Sequence, residues 1–164
     1  MKIGFIIFIF TILISNAIFA DELVDFTGEW TFNKSKSEFG EGGDRFVPVK
    51  IKITQNENLM MMERTYQREY DDDFVDTLKF TLDGEENQSK FWRSPRIITA
   101  NWAENGQSLT IETKITFTRD GRQSEMFSTD VWQLKDHSTL SRNFTIEGPL
   151  GQMKAIYIFN RMNL

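Results

Sequence analysis

The chain has 164 residues, 40% of them hydrophobic, with no cysteine, one histidine and a formal net charge of −5, values that fit one ordinary folded domain rather than a disordered, collagenous or coiled-coil chain. Without cysteine there is no thiol nucleophile and no Cys/His zinc cluster, and a Ser-His-Asp site would have to use His137. The acidic balance makes nucleic acid and anionic membrane surfaces poor partners.

The first element is a leader. Met1-Lys2 precedes an apolar stretch from Gly4 to Ile14, small and polar residues follow through Ala17 and Ala20, and charge returns at Asp21-Glu22. This is the pattern of a secretory signal peptide over 1-20, with cleavage favoured after Ala20 and Ala17 second, which leaves a domain over 21-164. The apolar run is shorter than the roughly 20 residues that span a bilayer, and no second one follows. No cysteine follows the leader to carry a lipid. The mature chain is therefore expected to be soluble, without a transmembrane segment, and secreted or periplasmic. Loss of Lys2 with the leader takes the charge from −5 to −6. The remaining stretch of about 144 residues is long enough to bury a core without disulfides.

Beyond the leader, apolar and polar residues alternate, and turn signals recur every eight to twelve residues, the pattern of an all-β sandwich or barrel. Ten strands are predicted, at 26-33, 46-54, 59-68, 74-82, 87-93, 96-103, 108-118, 123-134, 139-146 and 152-161. In the clearest, Leu109, Ile111, Ile115 and Phe117 share one face while Thr110, Glu112, Lys114 and Thr116 share the other. Asp83-Gly84, Asn105-Gly106 and Asp120-Gly121 are hairpin turns, because both residue types tolerate positive φ. Consecutive hairpins imply an up-and-down meander, and closing it into a single antiparallel barrel removes two adhesive edges. A membrane-spanning barrel is disfavoured: Lys50, Lys52 and Lys114 would face lipid at mid-strand, each costing roughly 2–4 kcal/mol.

The mature chain opens with Phe26-Thr27-Gly28-Glu29-Trp30-Thr31-Phe32 and ends with Ile156-Tyr157-Ile158-Phe159-Asn160-Arg161. This Gly-x-Trp on the first strand and aromatic last strand resemble the lipocalin and fatty-acid-binding-protein (calycin) superfamily. The segment from Asn33 to Gly40, the Leu82-Asp83-Gly84 turn and the run from Trp102 to Glu112 are similar to bacterial exported lipocalin-like domains. The resemblance implies a barrel closed at its base by Gly28, Trp30 and Arg161, with the guanidinium lying across the indole. Residues 34-46 depart from the intracellular fatty-acid carriers, being too short and Gly-rich for a two-helix lid.

Arg142 stands among Leu140, Phe144 and Ile146, and the preceding strand places Asp130 beside Trp132 and Leu134 on one face. If Leu134 pairs with Leu140, Arg142 lies opposite Trp132 and diagonal to Asp130. Two readings stand: an interior cationic anchor for a carboxylate, the role the resemblance implies, or an Arg142-Asp130 pair that only holds the barrel together. The expected ligand-binding residues are Arg142, Trp132, Asp130, Phe80, Phe117, Phe144, Ile111 and Met61. Ile51, Ile53, Leu78 and Ile115 are expected to line the interior with them. The Met60-Met61-Met62 run is chiefly core filling.

Other constellations carry less. Asp71-Asp72-Asp73, with Asp76 nearby, lacks EF-hand spacing and reads as a solvated turn. Gly40-Glu41-Gly42-Gly43 is no phosphate loop. Glu63, Glu112 and Asp130 are available as lumen carboxylates, but no spacing selects them. The expectation is an exported β-barrel that binds a small apolar or amphipathic ligand in its interior, without catalysis, cofactor or metal. The alternatives are an envelope or extracellular interaction module with a solid-packed barrel and, third, a lumen enzyme of lyase or isomerase type.

Overall fold

The computed structural model describes residues 23–40, 43–44, 47–69, 71–149 and 151–162; the leader predicted over 1-20 lies outside them. In chain order the strands are β1 (Gly28–Phe32), β2 (Glu38–Phe39), β3 (Lys50–Asn56), β4 (Leu59–Tyr66), β5 (Phe74–Thr81), β6 (Asn87–Phe91), β7 (Ser94–Trp102), β8 (Ser108–Arg119), β9 (Arg122–Asp136), β10 (Thr139–Gly148) and β11 (Gly151–Arg161). Ten of them form a path β5-β4-β3-β1-β11-β10-β9-β8-β7-β6, while the two-residue β2 pairs with β11 off that path. The result is an antiparallel up-and-down barrel, nearly closed, the architecture that the resemblance implies.

The beginning and end of the chain are joined by β1, which pairs with β3 on one side and with the last strand on the other, Trp30 standing opposite Arg161. The hairpins follow local chemistry. Asp120 and Gly121 both take positive φ, at 51° and 72°, between β8 and β9, the combination a two-residue turn needs to match strand twist. The strand predicted at 46-54 starts later, at Lys50, because Pro48 has no N–H to give a ladder. Among the described residues of 33–49 the only helical turn is Lys34–Lys36, capped by the Asn33 side chain.

One end of the barrel is solid. Phe26, Trp30, Ile51, Ile53, Met60, Met62, Leu78, Phe80, Leu109, Trp132, Leu140 and Phe159 are all buried in one cluster, and full burial of such a side chain contributes about 1.5–3 kcal/mol. The expectation for Met61 is corrected here. Met61 is exposed, whereas Met60 and Met62 are buried. Directly opposed residues share a face of the sheet; Ile53 stands opposite Met62, so Met61, opposite Thr54, points outward.

Candidate functional site

The base of the barrel explains the Gly-x-Trp pattern. Trp30 is fully buried and its indole Nε1 donates to the Phe26 carbonyl at 2.9 Å. The Arg161 guanidinium lies 4.2 Å from the Trp30 ring centroid, an arrangement worth about 0.5–2 kcal/mol. Arg161 also donates to the carbonyls of His137 and Thr27. Gly28 sits at φ +145°, and a Cβ there would collide with Arg161 Nη1, so only glycine admits the guanidinium. Phe26 stacks on Trp102 and meets Trp132 edge-on, both at 5.9 Å.

Higher in the barrel, β9 and β10 pair with Leu134 opposite Leu140 and Arg142 opposite Trp132. Arg142 is 1% exposed and donates through Nε to Asp130 at 3.0 Å and through Nη2 to the same carboxylate. Its guanidinium carbon lies 5.1 Å from the Trp132 ring centroid and 5.5 Å from that of Phe159. Asp130 thus partners Arg142, and both are taken out of water together.

A second buried charge cluster, which the sequence reading missed, stands beside the first. In sequence Asp76 on β5 stands close to the Asp71-Asp72-Asp73 turn. Those three are exposed, but Asp76 is buried. It accepts from Arg96 Nη1 at 2.7 Å and from Arg64 Nη2, and Arg96 Nε donates to Ser89 at 2.8 Å. The signal was parity: Asp76 shares a face with Leu78 and Phe80, Arg96 with Ile98 and Ala100, and Arg64 with Met60 and Met62. Burial opposes the charge of Arg64, but Tyr66, Asp76 and Asp130 outweigh it and hold the group above its usual pKa. Burial likewise pushes the Tyr157 phenol up, against the pull of Arg142.

The two clusters border a cavity of about 410 Å³. Arg64, Arg96 and Arg142 line it together with Phe74, Phe91, Ile115, Phe117, Phe144 and Ile146, while Thr113 and Ser128 add hydroxyls. Tyr66, Trp92 and Arg68 also border it; Arg68 lies 5.3 Å from the Phe74 ring centroid and 5.5 Å from that of Trp92. Three of the four lining arginines each keep one buried donor without a hydrogen-bond partner: Arg64 Nε, Arg96 Nη2 and Arg142 Nη1.

Of the expected ligand residues, Arg142, Phe117 and Phe144 reach the cavity wall. Asp130 pairs with Arg142. Trp132, Phe80 and Ile111 are buried in the packed core rather than on the wall, and Met61 faces outward. Alternation assigns a residue to the inside of a barrel but not to a depth along it. Of the lumen carboxylates, Glu63 and Glu112 are exposed and only Asp130 is inside. Among the described residues no group of three or more Asp, Glu or His side chains is placed to hold a metal ion, and no helix is long and apolar enough to cross a membrane.

No protein-family model matches the sequence, and no curated protein matches it. Among solved structures the chain is similar to the crystal structure of zebrafish ileal bile acid-binding protein complexed with cholic acid, at 15% sequence identity and a TM-score of 0.45, over 84% of this chain and 98% of that one.

Proposed function

We propose that this protein is an exported carrier that holds a small amphipathic acid in the hollow half of its barrel and performs no chemistry on it. The observation that carries this reading is that Arg64, Arg96 and Arg142, each keeping one buried donor without a hydrogen-bond partner, line a cavity whose wall is otherwise made largely of aromatic and aliphatic side chains. A buried donor left unsatisfied costs roughly 1–3 kcal/mol, more when it is charged. An oxyanion recovers that cost, and an attached apolar body removes the Phe and Ile surfaces from water. Among the described residues the interior holds three arginines against two aspartates, Asp76 and Asp130, so an entering anion meets a cationic excess rather than a neutral pair. A cavity of about 410 Å³ falls within the roughly 300–1,000 Å³ range of small-molecule pockets. Export rests on the leader pattern of residues 1-20.

A dansyl-labelled fatty acid tests the reading. One probe per chain is expected to enter with blue-shifted emission, and decanoate is expected to displace it about tenfold more effectively than 1-decanol, since only the acid meets the guanidinium donors with an opposite charge. Absence of uptake, or equal displacement by acid and alcohol, overturns it.

A further inference from the structure

β5 and β6 end the strand path with no ladder between them, so side chains close the barrel along this seam. At one end Asn87 accepts from Thr81 N at 3.2 Å and donates to Thr81 Oγ1 at 3.1 Å. At the other, Phe74 meets Phe91 and Trp92 edge-on, with ring centroids 6.0 and 5.5 Å apart. Between them a single carboxylate makes the link. Asp76 on β5 takes Arg64 from β4, on its own side of the seam, and Arg96 from β7, on the far side, and Arg96 in turn holds Ser89 of β6.

These bonds use Arg64 Nη2, Arg96 Nη1 and Arg96 Nε. The donors left over, Arg64 Nε and Arg96 Nη2, are buried, belong to residues of the cavity wall and come from opposite sides of the seam. We infer that the anionic head of the ligand binds across the seam, accepting from Arg64 on one side and Arg96 on the other, and so acts as a second clasp beside Asp76. The inference rests on reading the cavity as the site of an amphipathic acid, and it adds that binding and barrel closure are one equilibrium. A ligand that binds only the closed seam stabilises it by mass action. A neutral amphiphile of the same length fills the apolar space and leaves the seam as it was.

Amide hydrogen exchange on the wild-type chain, with decanoate and with 1-decanol at equal occupancy, reads this directly. Decanoate is expected to slow exchange along β5 and β6 about tenfold more than 1-decanol does, while β8 and β9 respond alike to both. Equal slowing at the seam overturns the inference. In Asp76→Asn the native clasp loses its charge and the two arginines are freed for the ligand, so the ratio of decanoate to 1-decanol affinity is expected to rise about tenfold over wild type. A ratio that stays level or falls refutes the clasp. Failure of both amphiphiles to bind removes the carrier reading itself, whereas binding of both without a seam effect removes only the clasp.

Discussion

Trp92 occupies the tip of the β6–β7 hairpin with φ +56° and is 65% exposed. A side chain with a Cβ costs roughly 1–2 kcal/mol in that left-handed region. Against this stand its stack on Phe91, its edge contact with Phe74 and the Arg68 guanidinium over its ring, of which each aromatic pair is worth about 0.5–1.5 kcal/mol. The two sides nearly cancel, so the indole persists in a conformation that suits glycine because its ring roofs the cavity's aromatic edge. Trp92→Ala loses the ring and keeps the strain, whereas Trp92→Gly loses both. The alanine variant is therefore expected to be less stable than the glycine variant by about 1 kcal/mol, read from urea unfolding midpoints at equal slope. Equal midpoints would show that the backbone at this tip is unstrained.

Turns at the closed end tie neighbouring hairpins to one another. Asp83, after β5, accepts from Thr81 Oγ1 at 2.7 Å, from Asn58 Nδ2 at 2.6 Å and from Glu85 N at 3.1 Å, and Asn58 belongs to the β3–β4 turn. The hydrogen bonds from Thr81, Asn58 and Glu85 favour the carboxylate and hold Asp83 below the ordinary aspartate value near 3.8. A depressed folded-state pKa means that the stabilisation is fully present above the unfolded value and is lost as pH falls through the folded one. Thermal unfolding of Asp83→Asn should accordingly show a deficit against wild type at neutral pH that closes in strong acid. A deficit independent of pH would mean that the charge of Asp83 has no part in holding these turns together.

Across the whole barrel, one end is filled by aromatic and aliphatic side chains and the other surrounds a cavity whose wall includes buried charge. Arg142 and Asp130 are both nearly inaccessible, and removing one partner of such a pair leaves the other charged and unpaired, at a cost of about 3–5 kcal/mol. Arg142→Met alone is expected to lose roughly that much stability, while Arg142→Met combined with Asp130→Leu recovers most of it, because no buried charge is then stranded. Chemical denaturation of the two variants decides the matter: a double variant no more stable than the single one would show that Arg142 acts through packing on Trp132 and Phe159 rather than through its pair.

Much of the architecture is legible in the amino-acid sequence. The two-residue rhythm, the Asp-Gly and Asn-Gly turns and the short hairpins marked ten strands in meander order, and the Leu134–Leu140 register was enough to bring Arg142 to Asp130. The two-residue β2 was not visible, since Glu38 and Phe39 have no rhythm of their own and are ordered by Ala155 and Ile156 of β11. The outward face of Met61 is not legible in the sequence because three identical residues carry no phase, and the pairing of Ile53 with Met62 supplies it. Asp76 looked like the end of an acidic turn until Arg64, opposite it on β4, and Arg96, across the seam, showed why a carboxylate is buried there.

The sequence by itself determined the alternation of inside and outside along each strand and the places where the chain turns, because both follow from backbone geometry over a few residues. Only the tertiary structure decided how deep each inward side chain lies, where the barrel stays hollow, and that β5 and β6 meet through side chains instead of a ladder. Those outcomes depend on the curvature accumulated over the whole sheet, which brings Asp76 and Arg96 together across 20 residues of chain.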